Sequence, residues 1–311
     1  MTDHSSNRVL IVGYGSIGQR HLEVLTDLGC AVAVVSRRPG VFERQYANIG
    51  SALIDWMPQY CVIASRTSEH ANDINALATA GFTGKLLIEK PIFDEERPVP
   101  AHQASLVRVA FNLRCHPLMQ ALLDVLKGHE IRAAHGYVGQ YLPNWRPNQD
   151  YRKSYSASAN EGGGVLLDLS HDIDIIAQII GDWTALTALG GKVSGLEITS
   201  DDCFGLLFQS QTCPIATLNM NYLDHRARRE YLVHCDSFSL KADFIAGTLE
   251  RNDHIIFQQT VARNDTYFRM HMDMLQRDGE GLCTVNDGLR ILATIAAARK
   301  AAQCKVWKTN A

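Results

Sequence analysis

The sequence lacks the features that mark membrane proteins and disulfide-rich secreted proteins. In its 311 residues, no apolar stretch reaches the roughly 18 residues that a membrane span needs. Its eight cysteines are scattered without a Cys-x-x-Cys pair, so neither structural zinc nor a disulfide framework is indicated. The N-terminal segment has neither a twin-arginine pair nor a hydrophobic signal core. We expect a cytoplasmic protein with reduced thiols, no bound metal and no membrane contact.

The chain also lacks an excess of charge of one sign. Its net charge is −3 and charged residues make up 20% of the sequence, which gives no basic footprint for nucleic acid. No segment repeats and none is of low complexity. A hydrophobic content of 46% is ordinary for a globular protein, and the length suits roughly two domains.

A glycine-rich turn near the N-terminus is the most informative motif. The apolar run 9–12 ends in Gly13-Tyr-Gly15-Ser-Ile-Gly18 and leads into an amphipathic helical pattern. Gly13 allows a tight turn, Gly15 lets a pyrophosphate approach the backbone, and Gly18 lets helix and strand pack closely. The N–H groups of the helix N-terminus suit phosphate. We predict a dinucleotide site that includes Ser16 and Ile17; the alternative is a glycine-rich turn in another kind of α/β protein.

The order of predicted elements changes near residue 128. Strands at 9–12, 31–35, 61–64, 86–88 and 106–111 alternate with helices at 17–28 and 68–80, with a poorly defined stretch at 41–57. Strands at 133–140, 185–193, 203–209, 215–222, 230–234, 239–244 and 255–260 then follow one another, with helices at 165–180 and 287–303. The first pattern is typical of a parallel, doubly wound sheet and the second of an antiparallel sheet. We predict an α/β Rossmann domain over 1–128 and an α+β domain with a large, mainly antiparallel sheet over 129–311.

The end of the second predicted strand bears on the choice of cofactor. It is followed by Ser36-Arg37-Arg38, with no carboxylate before Glu43. A carboxylate there would hydrogen-bond the ribose 2′-hydroxyl of NAD, whereas guanidinium and hydroxyl groups suit a 2′-phosphate. We therefore expect NADP, with NAD as the other possible cofactor. The alternative is a pair of solvated surface arginines.

Two further segments carry groups suited to proton transfer. A predicted strand ends in Glu89-Lys90-Pro91, where strand ends of an open α/β sheet line the ligand crevice. Lys90 there can donate a proton to a substrate oxygen, although an ordinary surface Glu–Lys pair is the alternative. Three glycines at 162–164 precede a predicted helix that places Asp168 and His171 on one face. An imidazole oriented by a carboxylate can exchange a hydroxyl proton; the alternative is a helix-terminal aspartate beside a satisfied histidine.

Together these segments resemble the glucose–fructose oxidoreductase/inositol dehydrogenase/MocA-like (Gfo/Idh/MocA) dehydrogenases. The resemblance rests on Gly13-Tyr-Gly-Ser-Ile-Gly18, Glu89-Lys90-Pro91 and Gly162-Gly-Gly-Val-Leu-Leu-Asp168 with His171. It implies that Lys90, Asp168 and His171 act in proton transfer while the nicotinamide exchanges a hydride with a sugar carbon. One departure is that His171 follows Asp168 by three residues, where many members have four.

The resemblance also extends to two segments near the expected nicotinamide. Residues 61–70 resemble the fourth strand and the following loop, and residues 112–117 resemble the segment after the last Rossmann strand. Arg66 departs from the small residue or proline expected there. The further cofactor contacts implied are Ser65, Arg66, His70, Glu89, Lys90 and Asn112.

The loop 141–155 is a candidate substrate loop because it is long, aromatic and basic. Aromatic faces pack on sugar rings and arginine holds carboxylate or phosphate, so we predict contacts from Tyr141, Trp145, Arg146 and Arg152 besides Lys90, Asp168 and His171. A similar cluster at 222–231 could add positive charge. These features favour an anionic or nucleotide-linked sugar, and the resemblance to similar sequences implies a place in surface-polysaccharide metabolism; the alternative is that the aromatics anchor the loop or a subunit interface.

The function predicted is therefore an NAD(P)-dependent oxidoreductase acting on CH–OH groups of a sugar or sugar derivative. We expect a homodimer or homotetramer formed through the second-domain sheet, since large antiparallel sheets usually cover one face. The alternatives are a C=N or C=C reductase similar to biliverdin reductase, an NADP-binding regulatory protein without turnover, and a scaffold that binds no nucleotide.

Overall fold

The computed structural model describes residues 7–146 and 148–305, and the backbone alone of 308–309. The chain divides into two compact units. Unit 1 comprises Met1–Cys115 and Ala262–Leu292, and unit 2 comprises His116–Val261 and Ala293–Ala311. Within the described part of the chain, no helix has the length and apolar character needed to cross a membrane.

Unit 1 is built on six parallel strands. They are β1 (Arg8–Val12), β2 (Ala31–Val35), β3 (Gln45–Tyr46), β4 (Tyr60–Ile63), β5 (Lys85–Ile88) and β6 (Leu106–Val109). Their order in the sheet is β3-β2-β1-β4-β5-β6, which is the dinucleotide-binding order. Every residue of β4 is buried, as expected for a parallel strand covered on both faces. Because the strands are parallel, the residues that follow β1, β2, β4 and β5 meet at one edge of the sheet.

The helices follow the apolar spacing of the sequence. Among the described residues they are α1 (Ser16–Asp27), α2 (Ile49–Trp56), α3 (His70–Thr79), α4 (Pro117–Leu126), α5 (Val165–Asp168), α6 (Ser170–Ile180), α7 (Asp265–Gln276) and α8 (Val285–Cys304). The stretch left poorly defined at 41–57 contains β3 and α2. Helices α4 and α7 are absent from the sequence-based expectation.

Helix α7 gives unit 1 a part that lies late in the sequence. Its Met270 and Met274 are fully buried in the same hydrophobic core as Val9 and Val24. The units therefore differ from the single boundary expected at 128/129: residues 262–292 join unit 1, and unit 2 begins at His116. The physical reason is that the apolar face of α7 is buried in the core beneath the six-stranded sheet.

Unit 2 contains a nine-stranded sheet. Its strands are β7 (Ile131–Gly139), β8 (Trp183–Gly191), β9 (Cys203–Ser210), β10 (Ile215–Asn221), β11 (Arg228–Cys235), β12 (Ser239–Asp243), β13 (Thr248–Arg251), β14 (His254–Gln258) and β15 (Lys308–Thr309). The order is β14-β13-β12-β11-β7-β10-β9-β8-β15. All neighbours are antiparallel except β7 and β10. The predicted fold class is confirmed for both sheets.

One predicted helix is broken in two. The helix expected over 165–180 forms as α5 and α6, separated by Leu169 with φ −95° and ψ 22°. Asp168 therefore ends α5 while His171 lies in the first turn of α6. The expectation that the two share one face of a continuous helix is wrong, because the backbone turns between them.

Candidate active site

The glycine turn after β1 has the geometry that a phosphate group needs. A Cβ on Gly13, whose φ is +100°, would lie 2.6 Å from the carbonyl oxygen of Ala64, and one on Gly18 would lie 2.1 Å from that of Gly13. Gly15 is different, because no atom of the described residues lies within 4 Å of its Cβ position. Gly15 is also the N-cap of α1 and no side chain caps that helix. The free helix N-terminus, with Ser16 and Ile17 in its first turn, fits a dinucleotide pyrophosphate.

The residues after β2 form a small hydrogen-bonded turn. Ser36 is buried and its Oγ accepts a 3.1 Å hydrogen bond from the backbone N–H of Arg38. The Arg38 guanidinium donates to the carbonyl oxygen of Tyr14 in the glycine turn. The Arg37 side chain is 92% exposed and only 3.8 Å from Glu69. The turn thus brings Arg38 beside the glycine motif, and residues 36–42 contain no carboxylate.

The segment after β4 contributes one exposed cation and one buried histidine. Arg66 is exposed, and Ser65 donates a 2.5 Å hydrogen bond to Asp73. His70 is 1% exposed and its Nδ1 donates to the carbonyl oxygen of Ile92 at 3.1 Å. Burial lowers the pKa of His70. His70 therefore packs α3 against the chain that follows β5, and its contact with a cofactor stays a prediction.

Glu89 and Lys90 follow β5 at the same edge of the sheet. Glu89 is 7% exposed, and its Oε1 lies 2.9 Å from Nε2 of His21 on α1. Its Oε2 accepts a 3.0 Å hydrogen bond from the backbone N–H of Lys90. The Glu89 carboxylate is therefore buried in the protein, so the alternative of a surface Glu–Lys pair does not describe it. Lys90 itself is half-buried.

Asn112 lies beyond β6 in a short 3₁₀ turn. It is 7% exposed, and its amide donates a 2.6 Å hydrogen bond to Thr266 of α7. This contact joins the segment 112–117, which is expected near the nicotinamide, to helix α7, which was not predicted.

In unit 2, the glycines at 162–164 approach the protein's own backbone and side chains. A Cβ on Gly163 would lie 2.2 Å from the carbonyl oxygen of Tyr155, and one on Gly164 would lie 2.7 Å from Oδ1 of Asp201. Asp201 in turn accepts the backbone N–H groups of Val165 and Leu166, through its backbone and side-chain oxygens respectively. These glycines thus hold the start of α5, rather than leaving space for a ligand.

Asp168 lies in a pocket of tyrosines. It is 7% exposed, and Tyr222 donates a 2.6 Å hydrogen bond to its Oδ2. Burial, together with the nearby Asp168 charge, raises the pKa of Tyr155 far above its usual range. His171 is half-buried. The next residue, Asp172, is fully buried with a different set of partners, discussed below.

The predicted substrate loop divides into aromatic and basic parts. Tyr141 and His225 have ring centroids 4.1 Å apart, and the Trp145 ring meets Tyr222 edge-on at 5.1 Å. Arg146 is exposed. Arg152 instead pairs with two carboxylates, Asp150 at 2.8 Å and Glu197 at 3.0 Å, which balances the charge that an anionic ligand would use.

Two arginines of the basic cluster at 222–231 are likewise paired. Arg228 contacts Asp224 at 2.6 Å, and Arg229 contacts Asp172 at 3.0 Å. These arginines serve the protein's own carboxylates, contrary to the expected surplus of positive charge. The contact of Tyr222 with Asp168 was not predicted. In the sequence, Tyr222 is marked only by its position in that cluster.

Comparison with known proteins agrees with this architecture. Residues 119–241 match the family model described as the GFO/IDH/MocA C-terminal domain. No curated protein matches the sequence. Among solved structures, GenD2 from gentamicin A biosynthesis, in complex with NAD, is 18% identical with a TM-score of 0.81, covering 100% of this chain and 97% of that chain.

Two further structures are similar over almost the whole chain. Levoglucosan dehydrogenase in complex with NADH and levoglucosan is 15% identical, with a TM-score of 0.79 and coverage of 98% and 99% of the two chains. The WlbA dehydrogenase from Bordetella pertussis, in complex with NADH and UDP-GlcNAcA, is 17% identical, with a TM-score of 0.79 and the same coverage. At these identities the likeness is one of fold.

Proposed function

We propose that this chain, whose residues 119–241 match the GFO/IDH/MocA C-terminal domain model, is a nicotinamide-dependent oxidoreductase acting on a hydroxyl-bearing carbon of a sugar or sugar derivative. The observation that carries the proposal is the shared position of Gly15 and Lys90. Both follow parallel strands of one sheet, β1 and β5, and so lie at the same edge. That edge is where α/β sheets of this order bind dinucleotides.

In this proposal each residue has a stated role. Lys90 hydrogen-bonds the substrate oxygen and takes its proton, and His171, oriented by Asp168, takes part in the proton transfer. A nicotinamide cofactor would supply hydride transfer at the hydroxyl-bearing carbon, in either direction. The open N-terminus of α1 would hold its pyrophosphate.

A coupled assay tests the proposal directly. Purified protein is incubated with NAD⁺ or NADP⁺ and a panel of sugars, and absorbance is followed at 340 nm. We expect turnover with at least one sugar, and Lys90→Gln to lower kcat about 10²-fold or more, as for loss of a general acid–base group. Tight binding of NADH with no turnover of any sugar would instead favour the regulatory alternative.

We propose NADP as the preferred cofactor, held by Ser36, Arg37 and Arg38. The support is the pair of cations after β2 without a carboxylate, although the similar structures hold NAD or NADH. Arg37→Ala should weaken NADPH about tenfold, the loss of a charge-assisted hydrogen bond, and leave NADH unchanged. Arg263→Ala, an exposed arginine of the same unit, is the matched control. Equal losses for both cofactors would point to NAD.

We further propose an anionic sugar as substrate, recognised by Arg146. Arg146 is exposed, while Arg152 is committed to Asp150 and Glu197. Arg146→Ala should therefore raise KM for a sugar acid more than for its neutral counterpart, and Arg152→Ala should raise both equally. If Arg146→Ala also affects both sugars equally, the substrate is a neutral sugar.

Self-association through the nine-stranded sheet is part of the proposal. Leu189, Ile215 and Leu232 leave 70%, 46% and 41% of their surface exposed on its strands. Leu232→Lys should shift the molar mass measured by light scattering from an oligomer toward the monomer. A wild-type protein that is monomeric at micromolar concentration would contradict this.

A further inference from the structure

Four buried side chains of unit 1 form a continuous hydrogen-bonded chain. The Tyr60 hydroxyl lies 2.9 Å from Nδ1 of His271. Nε2 of His271 lies 2.8 Å from Nδ1 of His21, and Nε2 of His21 lies 2.9 Å from Oε1 of Glu89. The four residues come from β4, α7, α1 and the end of β5, and none is more than 7% exposed. We call this set the buried relay.

The buried relay ends at the lysine proposed to carry the chemistry. The second oxygen of Glu89 accepts the backbone N–H of Lys90 at 3.0 Å. Each carboxylate oxygen of Glu89 thus has its own donor, His21 on one side and Lys90 on the other. The position of the Lys90 backbone therefore depends, through the Glu89 carboxylate, on the protonation of His21 on α1.

The hydrogen bonds of the buried relay can all point the same way. A carboxylate only accepts, so His21 carries a proton on Nε2, and in its neutral form it accepts at Nδ1. His271 then donates from Nε2 and accepts at Nδ1, where the Tyr60 hydroxyl donates. Both rings are neutral in this arrangement. Burial, followed by the neighbouring His21, holds the pKa of His271 well below its usual range, and burial raises the pKa of Tyr60 well above its own.

The buried relay is faced by three groups that stay neutral and, beyond Tyr267, by the Arg20 guanidinium. Tyr267 meets His21 edge-on at 5.3 Å, and Arg20 stacks over the Tyr267 ring. The thiols of Cys30 and Cys61 lie near Tyr60. Burial raises the pKa of Tyr267 and of both thiols, so these three groups stay protonated and neutral.

We propose that Tyr60, His271 and His21 are positioning residues that act through Glu89 to hold Lys90 in place for proton transfer. The role of Lys90 rests on the proposed function. The hydrogen-bonded chain itself does not, because its contacts lie entirely within unit 1.

Histidine tautomers, read from ¹⁵N-labelled protein by NMR, test the direction of the relay. We expect His21 and His271 both neutral with the proton on Nε2. Glu89→Gln should reverse them. The oxygen of the new amide must accept the Lys90 N–H, so the amide NH₂ group faces Nε2 of His21. That nitrogen can then only accept, and both histidine rings carry their proton on Nδ1. His70, fixed as the Nδ1–H form by the Ile92 carbonyl, is the internal reference and should not change. A charged His21, or tautomers unaffected by Glu89→Gln, would overturn the proposal.

Tyr60→Phe tests the positioning role at the far end of the relay. It should raise the amide hydrogen-exchange rate of Lys90 and lower kcat about fivefold, the loss expected for one buried hydrogen bond, while Kd for NADH stays within about twofold. Tyr46→Phe, which removes the hydrogen bond from the Tyr46 hydroxyl to Asp55 on the surface of the same unit, should change neither the Lys90 exchange rate nor kcat.

An unchanged Lys90 exchange rate would overturn the positioning role, as would a loss of NADH binding in parallel with kcat. Failure of the proposed function would look different, since no sugar would be turned over while the tautomer and exchange results held.

Discussion

Tyr222 donates a 2.6 Å hydrogen bond to Oδ2 of Asp168, and both residues are buried. Burial and the neighbouring Asp168 hold the pKa of Tyr222 well above its usual range, so the phenol remains a donor. The indole of Trp145 packs edge-on against the same ring. Tyr222 thus connects a residue of the predicted substrate loop to the carboxylate proposed to orient the catalytic groups.

Tyr222→Phe should therefore lower both stability and activity. The variant leaves a buried carboxylate with one donor fewer, which costs about 1.5–3 kcal/mol of unfolding free energy, measured by urea denaturation. Tyr137→Phe is the matched control, since it removes a 3.0 Å tyrosine bond to Asp224 in a less buried part of the same sheet. Equal destabilisation by the two variants would contradict the special position of Tyr222.

Two glycines of the same motif should respond oppositely to alanine. Gly15→Ala meets open space and the backbone already has an ordinary φ of −81°, so the melting temperature should hold. Affinity for NAD(P)H should fall about tenfold or more, because the methyl group occupies the approach of the pyrophosphate. Gly18→Ala places a Cβ 2.1 Å from the Gly13 carbonyl and should destabilise the fold by about 1–3 kcal/mol, as overpacking does.

Fluorescence titration and thermal unfolding of the same samples check this contrast. Gly195→Ala is the control, since Gly195 is exposed and its Cβ position is also open, and it should affect neither measurement. If Gly15→Ala binds the cofactor as wild type does, the turn is not a phosphate site.

A buried ion pair should govern the stability of unit 2. Asp172 is fully buried and receives Arg229 through two hydrogen bonds, at 3.0 and 3.1 Å, and the Tyr231 hydroxyl at 2.7 Å. Arg229→Met leaves this carboxylate without its cation, which should cost about 3–5 kcal/mol. Adding Asp172→Leu should restore a large part of that loss, because the charge is then gone. A double variant no more stable than Arg229→Met would show that packing, rather than charge, sets the cost.

The fold could be predicted from the sequence to a large extent because its strands are short, apolar and closely spaced. Strand β2 has the predicted bounds, and β1, β4 and β5 differ by one residue at one or both ends. Helix α7 was missed because its burial depends on a core built from residues 250 positions earlier in the chain. The break at Leu169 was missed because the helical apolar pattern continues through it.

The candidate site was predicted less completely for a similar reason. Local motifs identified Gly15, Lys90 and Asp168, since each follows a recognisable element. Contacts such as Tyr222 with Asp168, or His271 with His21, join distant segments and leave no local pattern in one sequence. Arg152 and Arg229 show the opposite case. The composition of their segments indicated free positive charge, but tertiary contacts pair both side chains with carboxylates.

Stability should fall as the pH drops below about 6.5, the unperturbed pKa of histidine, because buried histidines resist protonation. Burial is the main cause that lowers the pKa of both His70 and His271. Below pH 6.5 the unfolded chain binds protons at these positions that the folded chain does not, so the unfolding free energy decreases by up to about 1.4 kcal/mol per pH unit and histidine. Above that pH their contribution is fully present.

His70→Asn keeps a donor for the Ile92 carbonyl but cannot titrate, so the variant should lose less stability than wild type between pH 8 and pH 5 in urea denaturation. The exposed His254, whose Nδ1 lies 2.9 Å from the Asn252 carbonyl, provides the matched control, and His254→Asn should follow the wild-type curve. Parallel curves for wild type and His70→Asn would mean that His70 is protonated equally in the folded and unfolded chain.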